Sequence, residues 1–245
     1  MAAPARGASP ASGLLYVAAV PIGHPDDITL RALQLLREVD LVASEDPAAT
    51  RALLSRHGID VTLTSYGPRN LKEKVAVLLH RLTQGARIAI VSDCGSPVIA
   101  DPGCRLIAAA HAAGIPVRCL PGSSAVSAAL TVSGFAADAF GFYGRLPRRR
   151  SALTRSLDTL LAAGDTAVAF CPSGSLSPAL DAIARLTPRR RIVVACDLTT
   201  RMETILRGTA RQVQTELARR PAPSQVTLVV AGKERRKTTG GRRRR

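Results

Sequence analysis

Short apolar runs alternate with amphipathic segments from residue 14 onward, and this alternation is typical of α/β units around a largely parallel sheet. The segments between the apolar runs predict helices. In the first of these, Leu30, Leu33 and Leu36 recur at helical spacing, and Asp27 is the predicted N-cap. The apolar runs of the first half predict five strands, at residues 14–20, 41–44, 61–64, 87–93 and 117–121.

A second set of alternating elements follows residue 150. A stretch rich in glycine and arginine separates the two sets, so two α/β domains are expected. We predict helices at 151–163, 176–186 and 210–220, strands at 166–172, 191–198 and 225–232, and a polar connection containing Arg-Gly-Thr. The predicted organisation is a disordered leader 1–13, an N-terminal α/β domain 14–136, a C-terminal α/β domain 137–232 and a disordered basic tail 233–245.

Composition narrows the classes of function. Hydrophobic residues make up 46% of the 245 residues and charged residues 21%, which excludes wholesale disorder. Aromatic residues make up only 3%, which disfavours a nucleic-acid site built on base stacking. A partner recognised through its backbone is still allowed.

The charge is strongly basic. Thirty-four basic against 18 acidic residues give a formal net charge of +16, and 30 of the basic residues are arginines. Because the planar guanidinium matches phosphate oxygens, this usage favours contact with phosphate. Compositional bias with ordinary surface charge is the alternative interpretation. Residues 233–245 alone carry eight basic residues and one Glu.

The five cysteines are scattered, without a Cys-x-x-Cys pair, so neither a disulfide framework nor a metal site is indicated. A reducing compartment, the cytoplasm, fits this usage. The first 13 residues lack an apolar core, and the uncharged residues 119–137 are interrupted by proline, glycine and hydroxyl residues. No membrane span is predicted.

Three loops that follow predicted strands carry the candidate chemistry. Ligands in open α/β sheets bind at the carboxyl ends of strands, where these loops begin. The loops are PIGHPDD (21–27), SDCGSPVIADPG (92–103) and LPGSSA (120–125). Asp93 can accept hydrogen bonds from an amine or hydroxyl, and residues 122–124 can open a helix with free N–H groups. Taken singly, each loop is equally consistent with a turn or a helix cap.

The set of three loops, in this order and spacing, is specific. The blocks LYVAAVPIGHPDDITLRALQLLREVDLVASED, VSDCGSPVIADPGCRLIAAA and GIPVRCLPGSSAVSAAL resemble the tetrapyrrole-methylase family of S-adenosylmethionine-dependent methyltransferases. Within it, the sequence is most similar to the branch that 2′-O-methylates a cytidine of 16S rRNA. The resemblance returns in VVACDLTT, ILRGT and VTLVVAG, and so extends from residue 14 to about 232. It implies two α/β domains with S-adenosylmethionine folded into a cleft between them, usually in a homodimer.

The resemblance also implies particular residues for the donor site. Gly23, Gly95 and Gly122 would shape the three loops. The implied donor-binding residues from the first domain are Ile22, Asp93, Ser96, Ser124 and Ala125, and those from the second domain are Phe170, Ala195 and Val226.

The sequence departs from the family in its acceptor motifs. The run SEDPAATR keeps Glu45, Asp46 and Arg51 but loses a histidine, and SYGPRN keeps Ser65 and Tyr66. FCPSGS lacks the glutamate, histidine and arginine of a third motif. These departures are consistent with a changed acceptor or with a protein that binds the donor without turnover.

Methyl transfer to a ribose hydroxyl needs a group that accepts the hydroxyl proton. Glu45 and Asp46 follow the second strand and are the candidates, with a helix N-cap before a proline as the alternative role. Arg51, Arg69 and Arg148 are candidates for holding phosphates of the acceptor, and solvated surface charge is the alternative. Two other functions stay open: a methylase of a tetrapyrrole or other small molecule, and a catalytically silent RNA-binding paralogue.

Overall fold

A computed structural model describes residues 13–233 of the chain. The predicted leader and basic tail lie outside the described residues, except for Gly13 and Lys233. The chain divides into two compact units between Ala125 and Val126, and each unit is built on its own five-stranded sheet. The predicted two-domain α/β architecture is confirmed.

The first sheet is parallel throughout, with the strand order β3-β2-β4-β1-β5. Its strands are β1 (Leu14–Ala18), β2 (Leu41–Ser44), β3 (Leu63–Ser65), β4 (Arg87–Val91) and β5 (Val117–Leu120). All five correspond to predicted strands, and β3 begins two residues later than predicted. Because every strand runs the same way, the loops that follow them all leave from one edge of the sheet.

Helices cover both faces of this sheet. They are α1 (Leu30–Glu38), α2 (Pro47–Arg56), α3 (Leu71–Thr83) and α4 (Cys104–Ala112), and α5 (Ala125–Ser133) follows β5. Successive residues of β1 point to opposite faces: Leu15 packs in the core with residues of α3 and α4, and Tyr16 in the core with residues of α1 and α2. Strands buried on both faces explain the continuous apolar runs of the sequence.

Helix α1 begins later than its predicted cap implies. Thr29 is the N-cap, and its Oγ1 accepts a hydrogen bond from the Ala32 backbone N–H. The prediction of Asp27 as this cap is wrong, because Asp27 lies in the preceding turn, where its N–H donates to the His24 carbonyl. A threonine two residues further along provides the same oxygen chemistry next to the helix start.

The second sheet is mixed, with the strand order β6-β7-β10-β8-β9. Its strands are β6 (Phe140–Arg145), β7 (Thr166–Phe170), β8 (Arg191–Cys196), β9 (Thr204–Thr209) and β10 (Val226–Val230), and its helices are α6 (Arg150–Ala162), α7 (Ser173–Leu186) and α8 (Ala210–Leu217). Strand β10 is antiparallel to both of its neighbours, β7 and β8. Leucines of α6 and α7 pack with alternate residues of these strands in one core.

The sequence prediction misses β6 and β9, the two edge strands of this sheet. Strand β6 contains Gly141 and Gly144, and its pairing with β7 shifts register between Phe142 and Arg145. Strand β9 reads Thr-Ile-Leu-Arg-Gly-Thr, which lacks a continuous apolar run. Edge strands need less burial than central strands, so their sequences carry a weaker signal.

The division between the units falls eleven residues before the predicted boundary of 136/137. The segment after α5 is bonded to the second unit: Arg207 Nε donates to the Ser133 carbonyl at 3.0 Å, and Thr166 Oγ1 donates to the Ala136 carbonyl at 2.6 Å. The Arg207 guanidinium also lies 5.1 Å from the centroid of the Phe135 ring. Local composition does not indicate such long-range contacts, so a boundary predicted from composition misses them.

Between residues 13 and 233, no helix is both long and apolar enough to cross a membrane.

Candidate functional site

The loops after β1 and β4 are joined by backbone hydrogen bonds. The Val20 N–H donates to the Gly95 carbonyl at 2.9 Å, and the Gly95 N–H donates to the Pro21 carbonyl at 3.3 Å. Ser92, buried at the end of β4, donates through Oγ to the same Gly95 carbonyl. Sequence reasoning did not assign Ser92 a role, although its place at the strand end, directly before Asp93, was a usable signal.

The loop after β5 joins the other two. Ser96 Oγ donates to the Ser123 carbonyl at 3.3 Å, and Ser123 Oγ donates to the Asp27 carbonyl at 2.7 Å. The Gly122 backbone lies so close to the first loop that a Cβ on it would stand 3.0 Å from Ala19 Cβ. The three sequence-predicted loops therefore converge at the carboxyl edge of the first sheet.

Gly95 occupies a position that requires glycine. Its φ is +80°, in the region that L side chains rarely adopt. A Cβ there would lie 3.2 Å from Ile22 Cγ2 and 3.6 Å from the Ser123 carbonyl oxygen. Ile22, predicted as a donor residue, is 6% exposed and forms one wall beside this glycine. The neighbouring residues Ser124 and Ala125 are half-buried at the start of α5.

Asp93 is exposed at this edge and connects two of the candidate groups. Its Oδ1 accepts a hydrogen bond from the Asp46 backbone N–H at 2.9 Å. Asp46 is the N-cap of α2, because its Oδ1 accepts from the N–H groups of Ala48 and Ala49. The alternative role foreseen for Asp46, a helix cap before Pro47, is thus present in the structure.

The remaining candidates of the first unit are more dispersed. Glu45 is exposed, and its side chain passes Gly67, where a Cβ would stand 3.3 Å from Glu45 Cγ. Arg51 Nη1 lies 3.8 Å from Asp60 Oδ1, an exposed ion pair of little energetic weight. Arg69 is exposed in the segment between β3 and α3.

The second half of the loop after β4 has a strained backbone. Val98 and Ala100 have φ values of 81° and 60°, which are costly for residues with a side chain. Tyr66, buried at the end of β3, holds the end of the loop: its hydroxyl donates to the Pro102 carbonyl and accepts from the Leu106 N–H. Burial raises the pKa of Asp101 in this loop.

A hollow of about 310 Å³ opens between the first loop and α2. Pro21, Gly23, Ala49, Ser92 and Asp93 are among the residues that line it. The lining is mostly apolar and also contains the Asp93 carboxylate, the Arg56 guanidinium and two hydroxyl groups, a composition that suits a small-molecule site.

The second-unit candidates lie on the sheet itself. The register places Phe170, Thr227 and Ala195 in one row across β7, β10 and β8, so their side chains share a face. Val226 is one residue removed, and its side chain packs on the opposite face in the helix-covered core. Thr227, which is 4% exposed, therefore shares a face with Phe170 and Ala195, and the donor candidate Val226 does not. A sequence comparison cannot resolve this offset, since one residue reverses the face.

The cysteines are all free thiols, and three of them, Cys94, Cys104 and Cys119, are exposed. Burial raises the pKa of Cys171 to about 12 and that of Cys196 to about 11. Within residues 13–233, no group of three His, Cys, Asp or Glu side chains is arranged to hold a metal ion.

The sequence profile of the Tetrapyrrole (Corrin/Porphyrin) Methylases matches residues 14–214. The three converging loops and every strand of both sheets except β10 lie within this span. The chain belongs to the tetrapyrrole methylase family, which confirms the family and the methyltransferase class predicted from sequence.

Known proteins with similar sequences carry a more specific name. Ribosomal RNA small subunit methyltransferase I of Thermotoga maritima is 36% identical over 222 residues, which cover 91% of this chain and 100% of that protein. The protein of the same name from Micromonospora olivasterospora is 39% identical over 222 residues, covering 90% of this chain and 71% of that protein.

The fold likeness extends to proteins of low identity. Uroporphyrin-III C-methyltransferase of Thermus thermophilus, solved in complex with S-adenosylhomocysteine, has a TM-score of 0.59 and 19% identity, covering 89% of this chain and 96% of that chain. At this identity the comparison supports the shared two-domain fold.

Proposed function

We propose that this protein transfers a methyl group from S-adenosylmethionine to small-subunit ribosomal RNA, and that the acceptor is the 2′-oxygen of a cytidine. The observation that carries the proposal is the hydrogen-bonded convergence of the loops after β1, β4 and β5. The names of the similar proteins support ribosomal RNA as the substrate. The resemblance to the 2′-O-methylating branch supports the choice of atom.

The residues at this edge fit the chemistry of the donor. Bound there, S-adenosylmethionine would supply an electrophilic methyl group on a sulfonium. The exposed Asp93 carboxylate can accept hydrogen bonds from an amine or ribose hydroxyls. Gly95 lacks the Cβ that would crowd Ile22 and Ser123, so the three loops can approach each other closely at this edge. Ser96 holds the third loop against the second.

The proton of the acceptor hydroxyl needs a base within hydrogen-bond reach. One Asp46 oxygen already accepts two N–H groups of α2 and caps that helix, so this carboxylate has a structural role. We therefore assign the proton-accepting role to Glu45, which precedes Asp46 at the same edge and is exposed. Asp46 would keep α2 and Asp93 in place through its cap and its backbone N–H.

The location and assembly proposed for the protein follow from this role. Ribosomal RNA is a cytoplasmic substrate in bacteria, so we propose a cytoplasmic location. A homodimer is proposed because the family resemblance implies it, and sedimentation of the purified protein at micromolar concentration measures it. A monomer over the whole concentration range would contradict the assembly but leave the reaction untouched.

The decisive experiment follows methyl label from S-adenosylmethionine into purified small subunits taken from a deletion strain. We expect label in the 16S rRNA, and mapping by nuclease digestion and mass spectrometry to place it on the ribose of a cytidine. Large subunits serve as the control substrate and should take up none. Donor binding without label in any subunit would instead establish a silent binding protein, and label in a tetrapyrrole would establish the small-molecule alternative.

A further inference from the structure

Three arginines surround one hollow in the second unit. Arg148 and Arg150 at the start of α6 and Arg185 in the last turn of α7 line a space of about 170 Å³. Leu153, Pro178 and Ala182 provide the apolar part of its lining. All three arginines are exposed; Arg148 and Arg150 belong to the arginine-rich stretch noted in the sequence, whereas no role was predicted for Arg185.

Positive charge exceeds negative charge in the lining of this hollow, where three guanidinium groups stand against one carboxylate. Across residues 13–233, none of the three guanidinium groups forms an ion pair or a side-chain hydrogen bond. Asp181 is the one carboxylate in the lining, and its Oδ1 accepts from Gln214 Nε2 at 2.6 Å. Three like charges around one concave surface raise the local potential and attract an anion.

The size of the hollow limits the kind of anion. Sites for drug-sized ligands enclose about 300–1,000 Å³, so a space of about 170 Å³ is too small for a whole nucleotide. A single phosphate group matches it, and guanidinium forks match phosphate oxygens in geometry. The surrounding unit has the same sign of charge: residues 126–233 contain 15 basic and 7 acidic residues.

From this geometry we propose that Arg148, Arg150 and Arg185 form a binding site for a backbone phosphate of the RNA substrate. The assignment of the phosphate to RNA rests on the proposed function. The site positions the RNA on the second unit without reading its sequence, because phosphate contacts carry no base information. In this site Arg148 positions the RNA and does not contact the reacting atoms.

The test measures binding of small ribosomal subunits as a function of salt concentration. Each phosphate contact contributes about 0.7–0.9 to the slope of log affinity against log salt. Because the three arginines hold one phosphate, the triple variant Arg148→Gln, Arg150→Gln, Arg185→Gln should lower the steepness of that slope by about 0.7–0.9 and weaken binding at least tenfold at physiological salt. Donor affinity and thermal unfolding should stay at the wild-type values, since the three side chains are exposed.

A matched control separates a built site from general surface charge. Arg155 on α6 and Arg189 after α7 are also exposed, but they do not line the hollow. The variant Arg155→Gln, Arg189→Gln should change the slope by less than half as much as the triple variant. An equal change in both variants, or an unchanged slope in the triple variant, would overturn the site. This readout is independent of methyl transfer, so a failure of the proposed reaction would be recognised separately.

Discussion

The two units differ in charge far more than in size. The described part of the first unit, residues 13–125, contains 11 basic and 10 acidic residues, whereas residues 126–233 contain 15 basic and 7 acidic residues. The proposed donor carries a positive sulfonium, which a strongly basic surface repels, and RNA is an anion that such a surface attracts. This difference in charge suits the proposed donor-binding loops of the first unit and the proposed phosphate site of the second.

The two sheets also differ in the direction of their strands, and so in where the loops after the strands lie. In the parallel first sheet all strands end at one edge, so five loops are available there for a site. In the second sheet, β10 runs against its neighbours β7 and β8, and the loops that follow these strands leave from both edges. The first unit is therefore suited to concentrating polar groups at one place. The second unit offers broad surfaces of helices and edge strands.

The largest effect expected from the first unit is on the reaction rate. Glu45→Gln removes the proposed proton acceptor and should lower kcat by about 10²–10⁴-fold, the usual contribution of a general base. Donor affinity and subunit binding should be unchanged, and the rate should recover in Glu45→Asp at least in part. The control is Glu73→Gln on α3, an exposed carboxylate in the first turn of that helix. A kcat within threefold of wild type would remove Glu45 from the reaction.

A second change addresses the donor site. Asp93→Ala removes the exposed carboxylate and should weaken S-adenosylmethionine binding at least tenfold, as measured by calorimetry, because hydrogen bonds to charged groups contribute about 1.5–3 kcal/mol. Subunit binding at fixed salt should not fall, because the charge removed is negative. Asp60→Ala, which breaks only an exposed ion pair, is the control. Unchanged donor affinity would exclude Asp93 from the site.

The smallest expected effect is on donor affinity in a pair of glycine variants, which distinguishes backbone strain from crowding within the site. Gly95→Ala and Gly58→Ala each put a side chain at positive φ, with φ values of 80° and 64°, and each should lower the free energy of unfolding by about 1–2 kcal/mol. Only Gly95 has Ile22 and Ser123 within reach of the new Cβ, whereas Gly58 has nothing within 4 Å. Donor affinity should therefore fall severalfold in Gly95→Ala alone. An equal fall in both variants would contradict a local role for Gly95.

In the second sheet, the contrast between edge and central strands also describes what could be predicted, whereas the edge strands β3 and β5 of the first sheet were found from sequence. Every central strand, such as β1 and β10, is an apolar run that must be buried, and each was found from sequence. The edge strands β6 and β9 contain glycines and polar residues because one side of each has no neighbouring strand, and both were missed. The predicted boundary between the units differs from the observed one because of contacts between residues far apart in the chain. Arg207 binds the end of α5, and Thr166 binds Ala136 in the segment after it.

By itself, the sequence determined the α/β class, the two units, the family and the three loops that follow β1, β4 and β5. These features depend on local patterning and on short blocks of residues, which are readable along the chain. Only the tertiary structure decided that Asp93 binds the Asp46 N–H, that Thr227 rather than Val226 shares a face with Phe170, and that Arg150 and Arg185 join Arg148 around one hollow. These relations join residues as far apart in the chain as Phe170 and Thr227, and register and helix packing, which set them, are properties of the folded chain.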